Sequence, residues 1–537
     1  MGWARLMKLL AAPTFAGWGL VVLVLATLLV GLAGIDLHDS TEPREAGVAA
    51  GMLQDQDFLL PKLNGQPFLE KPPLSYWMQA ASISQLGYNN ISPRLPSVLA
   101  ALLCLLVVFR HATRLLDSQV PGAMAALLLL TMGSFWLHGR EAGQDALLAL
   151  GVTLCLLSFH HARRSGGKVS GWSGYVLGLA IATTAKGVVG LALPAVTILA
   201  FLLVEAFAME KRLVARHFVT PALLAVVALL PLGVWLCMLY WRHGGSFVSE
   251  IIWTNSVGRF AGDYAHGSHA EPVYFYVMNL PQVFLPWTAI VVVAIWQLRR
   301  RWRTDPDIAF YLCWLVAPFV LLSLSAGKRM SYLLSLYPAA AMIVTCYLWQ
   351  ATARPADRTL RAITMLQAVI ITGVAIALLA ALRHVLSPLA LTAVAVAAAG
   401  AVFGLWRAAW RARPANFVAM AVVVMCGAYF GYATWVLPDR VNRDSLRRIF
   451  DELPRADLKP GAVVLVNPSE RVSGAARYYL RGPVHSVATP EALAALWQDR
   501  PDALALIDAR DAGNADFVVR RQFNHGANTY LIIGRKP

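Results

Sequence analysis

The chain has 537 residues, 58% of them hydrophobic and 14% charged, with a formal net charge of +16. Soluble domains carry roughly 25% charged residues, so this composition excludes an ordinary soluble protein and marks a membrane protein. Cys104, Cys155, Cys237, Cys313, Cys346 and Cys426 each lie in an apolar run, which excludes a disulfide scaffold or a cysteine zinc site; Lys and Arg are dispersed between the runs, which excludes the single basic patch of a nucleic-acid-binding protein.

A short basic leader with Arg5 and Lys8 precedes the first apolar run, 14–35. That run is longer than a signal-peptide core and no small-residue cleavage site follows it, so it reads as a retained helix. Lipid offers no partner to an unpaired backbone group, and a helix needs about 20 apolar residues to cross the hydrocarbon core. By that rule the spans are about thirteen in number: 14–35, 95–115, 120–137, 144–162, 172–185, 188–208, 219–240, 282–298, 307–325, 330–350, 362–382, 386–406 and 416–436.

Alternate loops carry the positive charge that short cytoplasmic loops collect. They hold Arg110 and Arg114; Arg163, Arg164 and Lys168; Lys211, Arg212 and Arg216; Arg299, Arg300, Arg301 and Arg303; Arg354, Arg358 and Arg361; and Arg407, Arg411 and Arg413. This pattern puts the N-terminus in the cytoplasm, and an odd number of spans puts the tail outside it. Most of the net positive charge is therefore a topology signal and headgroup anchoring.

Charge on the other side asks for an explanation. The first outer loop, 36–94, opens with Asp36, Asp39 and a helical-looking Thr41-Glu42-Pro43-Arg44, where Pro suits a first helical turn. Acids there also cap a helix and favour its positive end, with no further role needed. Farther on, Asn64-Gly65 signals a turn, and Pro72-Pro73 prevents helix directly after Glu70 and Lys71. Arg140, Glu141 and Asp145 form the next outer turn, and Lys186 lies between two apolar stretches. A charge so near hydrocarbon costs a few kcal/mol unless it snorkels, faces a cavity or has a partner. The outer loop 241–281 adds Arg259, Asp263, His266, His269 and Glu271; two histidines three apart can share a metal, and a polar loop gives the same spacing without one. Lys328 and Arg329 follow the ninth span, just before Tyr332.

Separate segments thus bring acids and bases to one depth. Such a set suits reaction on an anionic lipid, with cations neutralising a phosphate leaving group while an acid takes the nucleophile's proton. No GxxxxGK[ST], GxSxG or HExxH pattern occurs. A lipid or sugar transporter is the alternative of another class, but transporters keep polar residues near the midplane of repeated halves, and no repeat is visible. A non-catalytic lipid-binding protein is the remaining one.

After the last span, 442–453 is amphipathic, 462–467, 503–507, 517–521 and 530–533 read as strands, and 473–480 and 490–498 as helices. The division expected is a transmembrane domain at 1–437 and a small outer α/β domain at 438–537, large enough for its own core.

The series Asp39-Ser40-Thr41-Glu42-Pro43-Arg44, Leu63-Asn64-Gly65 through Phe68-Leu69-Glu70-Lys71-Pro72-Pro73, Asp145, Ala185-Lys186-Gly187, 266–276, and Gly327-Lys328-Arg329 with Tyr332 resembles the bacterial lipid A aminoarabinose transferases and related protein-mannosyltransferase-like glycosyltransferases. The resemblance spans about residues 10–350 and implies a GT-C fold: a mainly α, polytopic membrane bundle with juxtamembrane helices on the periplasmic surface and a small C-terminal α/β domain. It implies an inverting pentosyl- or hexosyltransferase of the bacterial inner membrane, moving a sugar from a polyprenyl (undecaprenyl) phosphate to a periplasmic acceptor such as lipid A or another envelope glycan, and acting as a monomer. In that family the base is usually the Asp of an Asp-Glu-x-Arg motif. Thr41 stands in its place here, leaving Glu42 and Asp39 as candidates, with Asp145 as the acid of the second outer turn. Arg44, Lys71, Lys186, Lys328, Arg329 and Tyr332 are expected at the donor phosphate. Glu70 with His266 or His269 is the candidate holder of a divalent metal, Zn or Mg, and since metal dependence varies across such enzymes the resemblance leaves the requirement open.

Overall fold

The computed structural model describes residues 13–39, 41–167, 169–212, 214–258, 271–352, 358–453, 463–513, 517–525 and 528–536. Each apolar run read as a span lies largely in helix: α1 (Pro13–Leu29), α4 (Leu95–Leu115), α5 (Gln119–Leu130), α6 (Asp145–Arg164), α7 (Val169–Lys186), α8 (Val188–Leu203), the pair α9 (Arg216–Ala228) and α10 (Leu230–His243), α11 (Thr288–Leu298), α12 (Pro306–Leu324), α13 (Tyr337–Ala351), α14 (Arg358–Leu382), α15 (Pro388–Trp410) and α16 (Pro414–Gly431). Among the described residues, eight helical segments are long and apolar enough to cross a membrane, or nine if α9 and α10 form one span. The rest of the expected thirteen are shorter or less apolar helices. Two breaks account for part of the difference. The pair α9/α10 bends by 43°, where Pro231 starts the second helix and cannot donate to the first; α5 stops at Leu130 and a separate short helix, Gly133–His138, follows.

Burial sorts the helices. The segment Met330–Ala351 is 89% buried and runs through the core, whereas Pro388–Trp410 is 6% buried, as expected for a helix whose apolar side chains meet lipid. Helices α6 and α7 approach backbone to backbone. A methyl on Gly151 would stand 2.5 Å from the Ala182 nitrogen, and one on Gly178 2.3 Å from the Cys155 nitrogen. Such small-residue contacts are how membrane helices gain packing without a hydrophobic driving force. Because the two helices run antiparallel, the close pairing brings Asp145 at the start of α6 beside Lys186 at the end of α7. Gly187, at φ +58°, then turns the chain into α8.

Outside the bundle, α2 (Thr41–Asp55) and α3 (Leu74–Leu86) flank a tiny hairpin of β1 (Lys62–Leu63) and β2 (Gln66–Pro67). Its turn is Asn64-Gly65, at φ 51° and 80°, as the sequence signal implied. The tail forms β3 (Val463–Val466), α17 (Glu470–Leu480), β4 (His485–Val487), α18 (Pro490–Asp499), β5 (Leu504–Asp508), β6 (Phe517–His525) and β7 (Asn528–Arg535). The sheet order is β4-β3-β5-β7-β6, with β3 parallel to β4 and β5 and the other pairs antiparallel. Val464, Val466 and Ala505 pack with α18, while Val463, Leu465 and Leu506 share a core with α17 and with Ala46, Ala49 and Ala50 of α2. The tail domain is therefore built onto the first outer loop. At their crossing, a methyl on Gly474 would stand 2.4 Å from the Pro43 carbonyl oxygen.

Candidate active site

Helix α2 organises the site. Glu42 and Glu45, three apart and so on one helix face, both reach the turn that precedes α6. The Ala142 N–H donates to Glu42 Oε1 at 2.9 Å, and the Gln144 carboxamide donates to Glu45. Ser75 and Ser97 donate to the Gly143 carbonyl at 3.2 and 3.3 Å. This pinned turn delivers Asp145 to the first turn of α6, where a carboxylate suits the helix dipole, as Lys186 suits the end of α7. Asp145 and Lys186 form an ion pair, and the Lys186 ammonium lies 4.2 Å from the centre of the Tyr332 ring.

A cavity of about 300 Å³ opens here, lined by Asp39, Thr41, Glu42, His138, Glu141, Asp145, Arg329, Ser331 and the 142–143 backbone. That volume is at the small end of ligand pockets and holds roughly one sugar ring. Arg329 enters from the segment after α12: its Nη1 donates to the Thr41 hydroxyl at 3.2 Å, and its carbonyl accepts from the Tyr276 hydroxyl at 3.0 Å.

The four carboxylates on the cavity differ in what they can still do. Glu42 is 1% exposed and accepts from Arg94 Nε at 2.7 Å, from Arg94 Nη2 at 2.6 Å and from the Ala142 N–H, with His38 Nδ1 at 2.9 Å. Burial alone would raise its pKa, but the Arg94 guanidinium and His38 outweigh burial and hold it well below the usual carboxylate range. A carboxylate so fully engaged is a poor base, and this geometry argues against the expectation that Glu42 accepts the proton. Glu141 is paired with His138 at 2.7 Å, and Asp145 with Lys186. Asp39 sits at φ 55° in the loop before α2, its side chain 71% exposed, and among the described residues its ion-pair contact is a 3.8 Å approach to His38 Nε2.

The remaining expected residues fall elsewhere. Arg44, Glu70 and Lys71 form a second cluster: Arg44 is 2.9 Å from Glu45, 3.0 Å from Glu470 of the tail domain and 3.6 Å from Glu70, which is 3.7 Å from Lys71. Burial opposes the Arg44 charge, yet the surrounding carboxylates raise its pKa. Carboxylates already satisfy this guanidinium where a phosphate was expected. Lys328 is 3% exposed and donates to the carbonyls of Glu271, at 2.7 Å, and Ser325, a backbone tie that removes it from the cavity lining. His266 and His269 lie outside the described residues. Glu70, their expected metal partner, is engaged by Arg44 and Lys71. A different set brings possible ligand atoms together: those of His38, Asp39 and Glu141 all lie within 4.8 Å of one another, enough to hold a divalent cation.

Sequence reading missed His38, Glu45, Arg94, His138 and Gln144. His38 and Glu45 stand four before and three after Glu42, a spacing that points to them once Glu42 is on a helix. Arg94 has no local signal at all.

Known proteins share this architecture. A family profile described as "Dolichyl-phosphate-mannose-protein mannosyltransferase" matches residues 70–235. The undecaprenyl phosphate-alpha-4-amino-4-deoxy-L-arabinose arabinosyl transferase of Edwardsiella ictaluri is 30% identical over 63% of this chain and 60% of its own length. The protein of the same name from Pectobacterium atrosepticum is 29% identical over 61% of this chain and 58% of its own. The chain thus matches about three fifths of the length of these relatives. The crystal structure of ArnT from Cupriavidus metallidurans bound to undecaprenyl phosphate superposes with a TM-score of 0.73 at 19% identity, covering 97% of this chain and 98% of that one. The resemblance read from the sequence is borne out, and so is the GT-C fold. With the apolar helices, these relatives mark a polytopic inner-membrane protein.

Proposed function

We propose that this GT-C chain is an inverting glycosyltransferase that moves a pentose, such as the aminoarabinose named for its relatives, from undecaprenyl phosphate to a glycolipid acceptor such as lipid A. The observation that carries the reading is the acid-lined cavity in which Asp39 is, among the described residues, the least engaged carboxylate, with Arg329 on the same lining and Lys186 reaching it through its ion pair with Asp145.

The chemistry follows from those positions. Asp39 takes the proton of the acceptor hydroxyl, whose oxygen attacks the anomeric carbon from the face opposite the phosphate, so the configuration inverts. The carbon–oxygen bond to the carrier breaks, and the departing phosphate gains negative charge that Arg329 and Lys186 offset. Glu42 and Glu45 act indirectly, by fixing the 141–145 turn. A divalent cation such as Zn or Mg would be held by His38, Asp39 and Glu141 and would add positive charge near the phosphate. Such a cation would take one Asp39 oxygen and leave the other to face the acceptor hydroxyl.

In this reading the cavity and the domain at 438–537 face the periplasm, the N-terminus faces the cytoplasm, and the protein works as a monomer. The test is the purified full chain in nanodiscs, given undecaprenyl phosphate aminoarabinose and lipid A, with products followed by mass spectrometry. Transfer is expected, with a raised donor KM in Lys186→Ala. No transfer by the parent chain to lipid A would reject this donor–acceptor pair, and no donor turnover with any added glycan acceptor would reject the enzyme reading.

A further inference from the structure

Toward the other end of α6 lies a second cavity, about 480 Å³, lined by residues of α4 and α6 and by Ser170 of α7. Helix α6 has 20 residues, and at a rise of about 1.5 Å per residue its two ends stand about 30 Å apart, one on each face of the membrane. The catalytic reading makes no use of this cavity. We propose that it binds the headgroup of an anionic, hydroxyl-bearing phospholipid of the phosphatidylglycerol class.

Three features point there together. The first is charge. Arg110 and Arg114 line the cavity four residues apart on α4, an arrangement of like charges that disfavours itself on a helix. Among the described residues neither has a carboxylate within ion-pairing distance, whereas Arg164, also on the lining, is paired with Asp307. The lining therefore keeps two uncompensated positive charges, which a phosphodiester can offset. Ordinary headgroup anchoring requires single arginines at the interface and no cavity between helices.

The second is an orphaned polar atom. His160 lines the same cavity and is 2% exposed. Its Nε2 stands 3.0 Å from Asp307, while its Nδ1 has no hydrogen-bond partner among the described residues. A buried polar atom left unpaired costs about 1–3 kcal/mol, and the hydroxyl of a glycerol headgroup, able to donate or accept, would satisfy it in either tautomer. The neighbouring His111 is already committed, 2.6 Å from the Tyr311 hydroxyl.

The third is the apolar wall. Val107, Leu115, Leu154 and Leu157 form the apolar part of the lining. A free phosphate gains nothing from them, but the acyl chains below a phosphoglycerol headgroup do. In the orientation proposed above this is the cytoplasmic leaflet, where basic pockets between helices recognise anionic lipids; the chemistry of the site is the same in either orientation.

The test uses the full chain in nanodiscs with defined lipids, native mass spectrometry reading the lipid retained. Phosphatidylglycerol is expected to be retained over phosphatidylcholine by about tenfold, and the double substitution Arg110→Gln with Arg114→Gln to abolish that preference. His160→Phe is expected to reduce it partly. Unchanged circular dichroism and melting temperature in the double variant exclude unfolding as the cause; if it does not fold, His160→Phe alone decides. Equal retention of the two lipids by the parent, an unchanged preference in the variants, displacement by millimolar inorganic phosphate, or tighter retention of undecaprenyl phosphate would each overturn the proposal.

Discussion

Arg94 and Glu42 meet in a two-point ion pair, Nε to Oε1 at 2.7 Å and Nη2 to Oε2 at 2.6 Å, with neither side chain more than 2% exposed. The same guanidinium donates to the carbonyls of Ile35, at 2.6 Å, Asp36, at 2.9 Å, and Leu32, at 3.1 Å. It therefore holds the start of the first outer loop against α2 and, through Glu42, against the turn before α6. Removing one member of a buried pair strands the other charge. Arg94→Leu is expected to cost about 3–5 kcal/mol of stability, read as a large fall in the melting temperature of the detergent-purified chain. The double variant Arg94→Leu with Glu42→Leu is expected to recover part of that loss. A single variant that melts with the parent would refute the structural role.

Asp39 is the opposite case. Its side chain is 71% exposed and barely paired, so Asp39→Asn should leave the melting temperature unchanged and lower kcat by about 10² to 10⁴-fold. Donor KM is expected to stay within about twofold, since the leaving phosphate is met by other residues. EDTA is expected to leave turnover unchanged. Loss of activity with EDTA, restored by Zn or Mg, would add a ligand role to Asp39.

His38 predicts how stability follows pH. Burial lowers its pKa, but the hydrogen bond and charge of Glu42 outweigh burial, and the net shift is upward from 6.5. A raised histidine binds its proton more tightly in the folded state. Its contribution is therefore complete below pH 6.5 and is lost as pH rises through the folded value. Titrating the parent from pH 6 upward should show a falling melting temperature that His38→Gln flattens over that window. Glu42 acts at the acid end: its depressed pKa adds stability above pH 4.5 that disappears on acidification. Parallel pH curves for parent and His38→Gln would contradict the assignment.

How much of this was readable beforehand depends on sequence separation. Hydropathy placed the spans because lipid enforces helix over a fixed length, and it failed where a proline or a short break divides one run, as at Pro231 and after Leu130. The tail read well, including its two longer helices and four of five strands, since turn residues separate short apolar runs. The unread strand was β4, three residues long with a largely exposed face. Asp145 and Lys186 were visible as charges at the ends of apolar runs. That they pair depends on Gly151 and Gly178 letting α6 and α7 touch, a tertiary fact. Glu42 looked like a base because nothing near it in sequence announces Arg94, 52 positions away. The same limit applies to Arg44: its partner Glu470 belongs to the tail domain, 426 positions on.

That last contact belongs to an interface in which α2 and α17 also meet backbone to backbone. A methyl on Gly474 would meet the Pro43 carbonyl oxygen at 2.4 Å and the Arg44 Cα at 2.5 Å; one on Gly47 would meet the Gly474 Cα at 2.4 Å. Neither neighbour can rotate aside, so a side chain at Gly474 must push α17 off α2. Gly474→Val is therefore expected to cost at least about 1–3 kcal/mol and to expose 438–537 to limited proteolysis. It should also lower transfer, because α2 carries both Asp39's neighbouring turn and the carboxylates that seat Asp145. Glu470→Gln removes only an ion pair whose carboxylate is 54% exposed, and such pairs contribute about 0–1 kcal/mol. It should melt within about 2 °C of the parent. If Gly474→Val resists protease as the parent does while Glu470→Gln releases the tail, the union of the two domains is electrostatic and the packing argument is wrong.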